Sequence, residues 1–253
     1  MSKPFLDNNH EFYDKYYRFS GRSKWMEKIW REAFGDQYPE GIDHYGYVTR
    51  HDLNRFRELL PQVPGQTLLD IGCGRGGPGF WLAERLEARL IGVDIVASAI
   101  ERAHTFQSEF SLAFPAEFHQ GHFLELPLED DSVDCAMSVD SFWTPHDKVK
   151  ALAEVRRVLK PGGRFVFTHW DLLQREILPF FDQSGMVFIE REDTPNWLEY
   201  QEKVYAGINA HKTELVLEMG EASHMLVYEA AASTPYLKHS VRRIYVMEAP
   251  REA

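Results

Sequence analysis

The run Leu68-Leu69-Asp70-Ile71-Gly72-Cys73-Gly74-Arg75-Gly76-Gly77 is where this chain first offers chemistry, because an apolar strand breaks there into a glycine-rich turn. Glycines at 72, 74 and 76 leave no Cβ in the way, so a nucleotide-like ligand can lie directly against the backbone. Pro78 follows and suits the first turn of a helix. That helix continues through Phe80, Trp81, Leu82, Ala83 and Leu86, and its N-terminal amides point at whatever sits over the turn. Gly72, Gly74 and Gly77 also satisfy the dinucleotide spacing G-x-G-x-x-G, and Asp94 ends the next strand in either reading. Asp70 tips the balance, since a carboxylate two residues before the first glycine repels a phosphate and welcomes an ammonium or sulfonium.

The pattern D-x-G-x-G-x-G from Asp70 to Gly76 closely resembles motif I of the class I S-adenosylmethionine-dependent methyltransferases. Further segments between residues 65 and 170 are similar to the same family. Arg89-Leu90-Ile91-Gly92-Val93-Asp94 is a short apolar strand ending in the acid that, in the family, holds the ribose. The run from Glu117 to Asp134, with Gly121-His122-Phe123 inside it, resembles the segment that wraps the adenine. His122 stands there in place of the usual aspartate, and it accepts a hydrogen bond from the adenine amino group only as a neutral imidazole. Val155 to Phe167 resembles the helix, tight turn and fifth strand of the family's small-molecule branch, the sterol, quinone and natural-product type.

The resemblance implies S-adenosyl-L-methionine as cofactor, with contacts from Asp70, Gly72, Cys73, Gly74, Gly76 and Asp94. It extends them to Ile95, His122, Phe123, Ser138 and Tyr47, and it implies no metal. His44-Tyr45-Gly46-Tyr47 is similar to a stretch that lies over the cofactor in sterol and related methyltransferases; Tyr47 is then a partner for the methionine portion and Arg50 for its carboxylate.

Methyl transfer is an in-line displacement that asks for alignment and exclusion of water. A carbon acid, phenol or protonated amine also needs a group to take its proton. The preferred candidates are His169, His146 and Asp171, with Asp140, His44 and Tyr45 also in reach of the expected ligand face. His169-Trp170-Asp171 leaves the fifth strand, although both polar residues are equally suited to capping a following helix. Asp147 reads as a helix cap. Trp30, Trp143, Trp170 and Trp197 fall in segments expected to converge on an acceptor pocket suited to a flat, apolar or cationic molecule, or else to pack in the core.

Strands are expected at 67–71, 89–94, 116–120, 133–139 and 164–169, with helices at 78–87, 98–110 and 147–159 between them. Such alternation predicts an α/β fold with a doubly wound, mostly parallel sheet, its ligand beyond the carboxyl ends of the strands. The resemblance raises the sheet to seven strands in a Rossmann-like methyltransferase fold. Residues 1–62 read as an N-terminal helical cap over 11–19, 24–34 and 52–60, leaving 63–253 as the cofactor-binding unit of what is effectively one domain. After Trp170 the pattern predicts a helix at 172–183, a strand at 186–190, helices at 196–219 and 221–231, and a strand at 241–247. The segment 172–240 is expected to cover the substrate.

The 253 residues suffice for one well-buried domain, and their net charge of −11, without a dense basic run, argues against nucleic acid as partner. Cys73 and Cys135 lack metal or disulfide spacing, which fits a reduced, cytoplasmic protein. No stretch of about 18 apolar residues predicts a membrane span. The expected partner is a small-molecule acceptor, aromatic or apolar, with the chain a monomer or homodimer. Protein or RNA methylation, a cofactor-binding protein of this fold that performs a non-methylating reaction, and a nicotinamide enzyme are the alternatives.

Overall fold

The computed structural model describes residues 6–19, 23–43, 46–174 and 177–251. Strands β1 (Thr67–Ile71), β2 (Arg89–Asp94), β3 (Glu117–Gln120), β4 (Val133–Ser138), β5 (Leu159–Leu172), β6 (Val187–Asp193) and β7 (Ser240–Glu248) form one sheet in the order β3-β2-β1-β4-β5-β7-β6. Pairing is parallel from β3 through β5, and β7 runs antiparallel to both of its neighbours. The doubly wound, mostly parallel sheet is therefore as expected.

Neighbouring residues on a strand bury against opposite layers, as the two-residue period of a strand requires. Leu68, Cys135 and Val166 pack under α3 (Arg50–Leu59), α4 (Gly77–Leu86) and α5 (Ala97–Phe106). Leu69, Ala136 and Phe165 pack under α6 (Lys148–Val158) and α7 (Phe181–Ser184). A third apolar cluster joins α1 (Leu6–Arg18) and α2 (Lys24–Phe34) to α8 (Trp197–Ala210), α9 (Lys212–Met219) and α10 (Ser223–Ser233). The N-terminal helices and the late helices thus share one core and close together over the ligand face.

Two expectations fail. The helix at 172–183 is absent: β5 continues to Leu172, held by pairing from Arg164↔Glu248 to Leu172↔Ser240. Among the described residues, only the short turn Leu178–Phe180 and the four residues of α7 are helical there. This also removes the capping reading of His169, which pairs with Arg243 inside the sheet. The single helix at 196–219 is two helices, broken at His211.

A buried polar knot ties the cap to the sheet. Arg242 on β7, 1% exposed, donates to Asp52 Oδ2 (2.8 Å) on α3 and to Asp140 Oδ1 (2.8 Å) in the loop after β4. Asp140 also accepts from Thr168 and, through Oδ2, from the Tyr47 amide at 2.6 Å. Asp52 completes a capping box with Thr49.

Candidate active site

A cavity of about 890 Å³ opens at the carboxyl ends of β1, β2, β4 and β5, the place an open α/β sheet offers a ligand. One half is the glycine turn. Gly72 and Gly74 have φ of +72° and +53°, a region L side chains rarely adopt. A Cβ on Gly72 would come within 2.5 Å of Ser141 Cβ, and one on Gly74 within 2.8 Å of the Tyr17 hydroxyl. The turn is held by Asp94, whose carboxylate accepts from the Gly74 amide (2.8 Å) and the Val96 amide (2.9 Å). Pro78 occupies the first turn of α4 as expected.

Asp70 is 2% exposed. Burial, and then the charge of Asp94, push its pKa up to about 8, against a hydrogen bond from the Gly79 amide. Asp70 and Asp94 thus set two carboxyl groups on one cavity wall. The arrangement fits a ligand that brings positive charge, and the Cβ-free turn fits one that lies against backbone.

The sequence candidates divide clearly. Asp70, Gly72, Cys73, Gly74, Asp94, Ile95, His122, Phe123 and Tyr47 all line the cavity. Gly76, with φ +81°, is the N-cap of α4 behind the lining. Ser138 is fully buried within β4 and does not reach the cavity wall. His122 Nδ1 accepts from the Leu124 amide at 3.1 Å. A neutral ring therefore carries its proton on Nε2, so His122 faces a ligand as a donor and not as the expected acceptor. Arg50 is exposed at the start of α3, away from the cavity. His44 and Tyr45 lie outside the described residues.

Of the three proton-acceptor candidates, His169 is buried and lines the cavity, whereas His146 is exposed on its rim. Burial lowers the His169 pKa, which keeps the ring neutral at pH 7. Asp171 is corrected: its carboxylate accepts from Arg243 (3.0 Å), the Tyr245 hydroxyl and the Ile177 amide (3.2 Å), and it lies off the cavity wall. It sits 3.3 Å from His169 Nδ1 as a fixed anion behind the ring. Asp147 is the N-cap of α6, accepting from the Lys150 amide. Trp143 and Trp170 line the cavity, while Trp30 packs behind Tyr47 and donates to the Gly46 carbonyl. Trp197 does not reach it.

Several cavity residues carry no local sequence signal. Tyr13 and Tyr17, one helical turn apart on α1, line the cofactor half with Arg75, which is spent on Asp43 (2.8 Å) and the Tyr16 hydroxyl (2.9 Å). Their i, i+4 spacing was the available clue. Gln201, Tyr205 and Glu229 line the other half, with Lys148, whose pKa burial lowers to about 7 and whose ammonium grips the Trp143 and Pro145 carbonyls.

The fold and the site define a Rossmann-like α/β protein with an aromatic-walled, capped cavity over a nucleotide-type turn. Residues 69–167 match the family described as "Methyltransferase domain". It is 34% identical over 113 residues to 24-methylenesterol C-methyltransferase 2 of Arabidopsis thaliana, covering 45% of this chain and 31% of that protein. For the first three curated relatives the match covers 31%, 39% and 34% of their length. In structure the chain is similar to the [4+2]-cyclase SpnF, with a TM-score of 0.76 at 18% identity, covering 98% and 97% of the two chains. It is also similar to geranyl diphosphate C-methyltransferase from Streptomyces coelicolor, with a TM-score of 0.62 at 17% identity and coverage of 90% and 98%. These last two likenesses are of fold.

Proposed function

We propose that this protein transfers a methyl group from S-adenosyl-L-methionine to a small organic metabolite. The observation that carries the reading is the pair of carboxyl groups, Asp70 and Asp94, walling a Cβ-free turn whose cavity continues into an aromatic second chamber. When bound, the cofactor supplies an electrophilic methyl on a cationic sulfur. Asp94 offers carboxylate oxygens to a ribose, and Asp70, which holds its proton to about pH 8 in the empty site, ionises against a cationic methionine end. Ile95 and Phe123 give apolar surface for an adenine, with His122 as donor to it.

The acceptor chamber is walled by Tyr47, Trp143, Trp170 and Tyr205, which supports a flat, apolar or cationic acceptor over a polar one. A relative named for sterol methylation supports an apolar acceptor. α8 and α10 supply one wall of the chamber through Gln201, Tyr205, Met225 and Glu229. His169, neutral and on the wall, is the sequence-derived candidate for contact with the acceptor. The two free, buried cysteines support a reducing, cytoplasmic setting.

Incubation of the protein and methyl-labelled S-adenosylmethionine with source-cell extract tests the reading. Label in the low-mass fraction, lost in Asp94→Ala, is expected. Label in precipitated macromolecules points to a protein or RNA acceptor. Consumption of a metabolite without label transfer points to non-methylating chemistry on this fold.

A further inference from the structure

In the acceptor chamber, hydrogen bonding dictates where a proton on one carboxyl group must sit. Glu229 stands on α10 in the run Met225-Leu226-Val227-Tyr228-Glu229-Ala230-Ala231-Ala232, as its sole charged side chain. A chain of donors ends on it. Trp170 Nε1 donates to Gln201 Oε1 at 3.1 Å, and Gln201 Nε2 donates to the Tyr205 hydroxyl at 2.9 Å. An indole N–H only donates, which fixes the amide of Gln201 and so makes Tyr205 an acceptor on that side. Tyr205 then gives its own proton to Glu229 Oε1 at 3.2 Å, and the Tyr47 hydroxyl donates to the same oxygen at 2.7 Å.

Oε1 is thereby committed as an acceptor. Among the described residues no hydrogen bond reaches Oε2, and Glu229 lines the cavity. Any proton on this carboxyl therefore sits on Oε2, available to a ligand. The chamber's other carboxylate, Asp140, is occupied by Arg242, Thr168 and the Tyr47 amide. Lys148 is occupied by two carbonyls.

We propose that Glu229 takes the acceptor's proton through Oε2, a role that rests on the methyl-transfer reading. The acceptor atom's electron pair forms the new bond to the methyl carbon, and the sulfonium sulfur keeps the pair of the broken carbon–sulfur bond. The acceptor's proton passes to Oε2, and its bonding pair stays on the acceptor atom. Tyr47, and Tyr205 from α8, bond Glu229, and Tyr13 and Tyr16 from α1 feel its charge. None of these is cationic, and burial pushes the Glu229 pKa up to about 8, near the working range of a general base.

Glu229→Gln keeps the acceptor oxygen at Oε1 and abolishes proton exchange. Calorimetry with S-adenosylhomocysteine is expected to give equal affinity for both proteins, showing that the variant is folded. Infrared titration of the empty proteins should show a protonated-carboxyl band that fades as pH rises through about 8, carried by Glu229 and Asp70 in wild type and reduced to the Asp70 part in the variant. With labelled S-adenosylmethionine and low-mass source-cell extract, transfer should fall on the order of 100-fold in the variant. It should rise with pH in wild type, because the carboxylate is the active form. Transfer by the variant within about threefold of wild type, against the general-base expectation, or identical infrared spectra, would overturn the proposal. If wild type binds S-adenosylhomocysteine and labels nothing, methyl transfer falls and the acceptor role with it, and the infrared result alone then decides whether Oε2 exchanges a proton.

Discussion

Asp94 does two things at once, since the oxygens it would offer a ribose also hold the Gly74 and Val96 amides. Asp94→Ala should weaken S-adenosylhomocysteine binding by about 1.5–3 kcal/mol, the worth of charge-assisted hydrogen bonds. Calorimetric titration measures this, and an unchanged affinity would sink the ribose assignment. His169→Ala should leave that affinity unchanged and lower labelled-methyl transfer, by less than Glu229→Gln does. A larger loss at His169 would return the proton-accepting role to the imidazole. The two residues differ in how they could be found. His169 follows a β-strand pattern at the expected ligand face, whereas Glu229 acquires its meaning from Tyr47 and Tyr205, which bond it directly, and from Gln201 and Trp170 behind Tyr205.

At the scale of elements, the β1 to α4 turn is the most sequence-determined piece of the molecule. Gly72→Ala adds a Cβ to a residue at φ +72° and presses it on Ser141. The fold should lose more than about 1 kcal/mol along with S-adenosylhomocysteine binding, as thermal melts with and without ligand will show. Ser141→Gly in the same chain should recover only the part due to the clash. The turn, the parallel strands and the helices between them were legible because each is written in consecutive residues: glycine spacing, apolar runs, capping residues. The end of β5, at residues 170–172, was not. Residues 170–172 belong to β5 because β7, about 70 residues later, supplies the pairing, and a local helix pattern loses to a sheet partner that periodicity cannot see. At His122 the reason is local, the expected acceptor nitrogen being taken by the Leu124 amide two residues on.

Across the whole molecule, charge burial sets stability. Asp70 and Glu229 have ordinary values of 3.8 and 4.5 and folded values of about 8. Between those limits the folded chain holds protons that the unfolded chain has released, so their contribution to stability falls as pH rises. Lys148 and His169, with lowered values, act in the opposite sense in their own windows. The clean measurement is therefore a difference: melts of Asp70→Asn against wild type should coincide near pH 4 and diverge toward about pH 8, with the variant gaining. A constant offset would mean that Asp70 does not titrate as described. Arg242→Ala strands Asp52 and Asp140 as buried anions and should cost about 3–5 kcal/mol in a denaturant melt. Asp52 and Arg242 are 190 residues apart. During synthesis the glycine turn and the first five strands emerge well before this arginine does, so a nascent chain can assemble its nucleotide-binding half while the cap still lacks its counter-charge. The ties that fix α3 and the loop after β4 to the sheet therefore form only once β7 has emerged, after every helix that covers the cavity has been made.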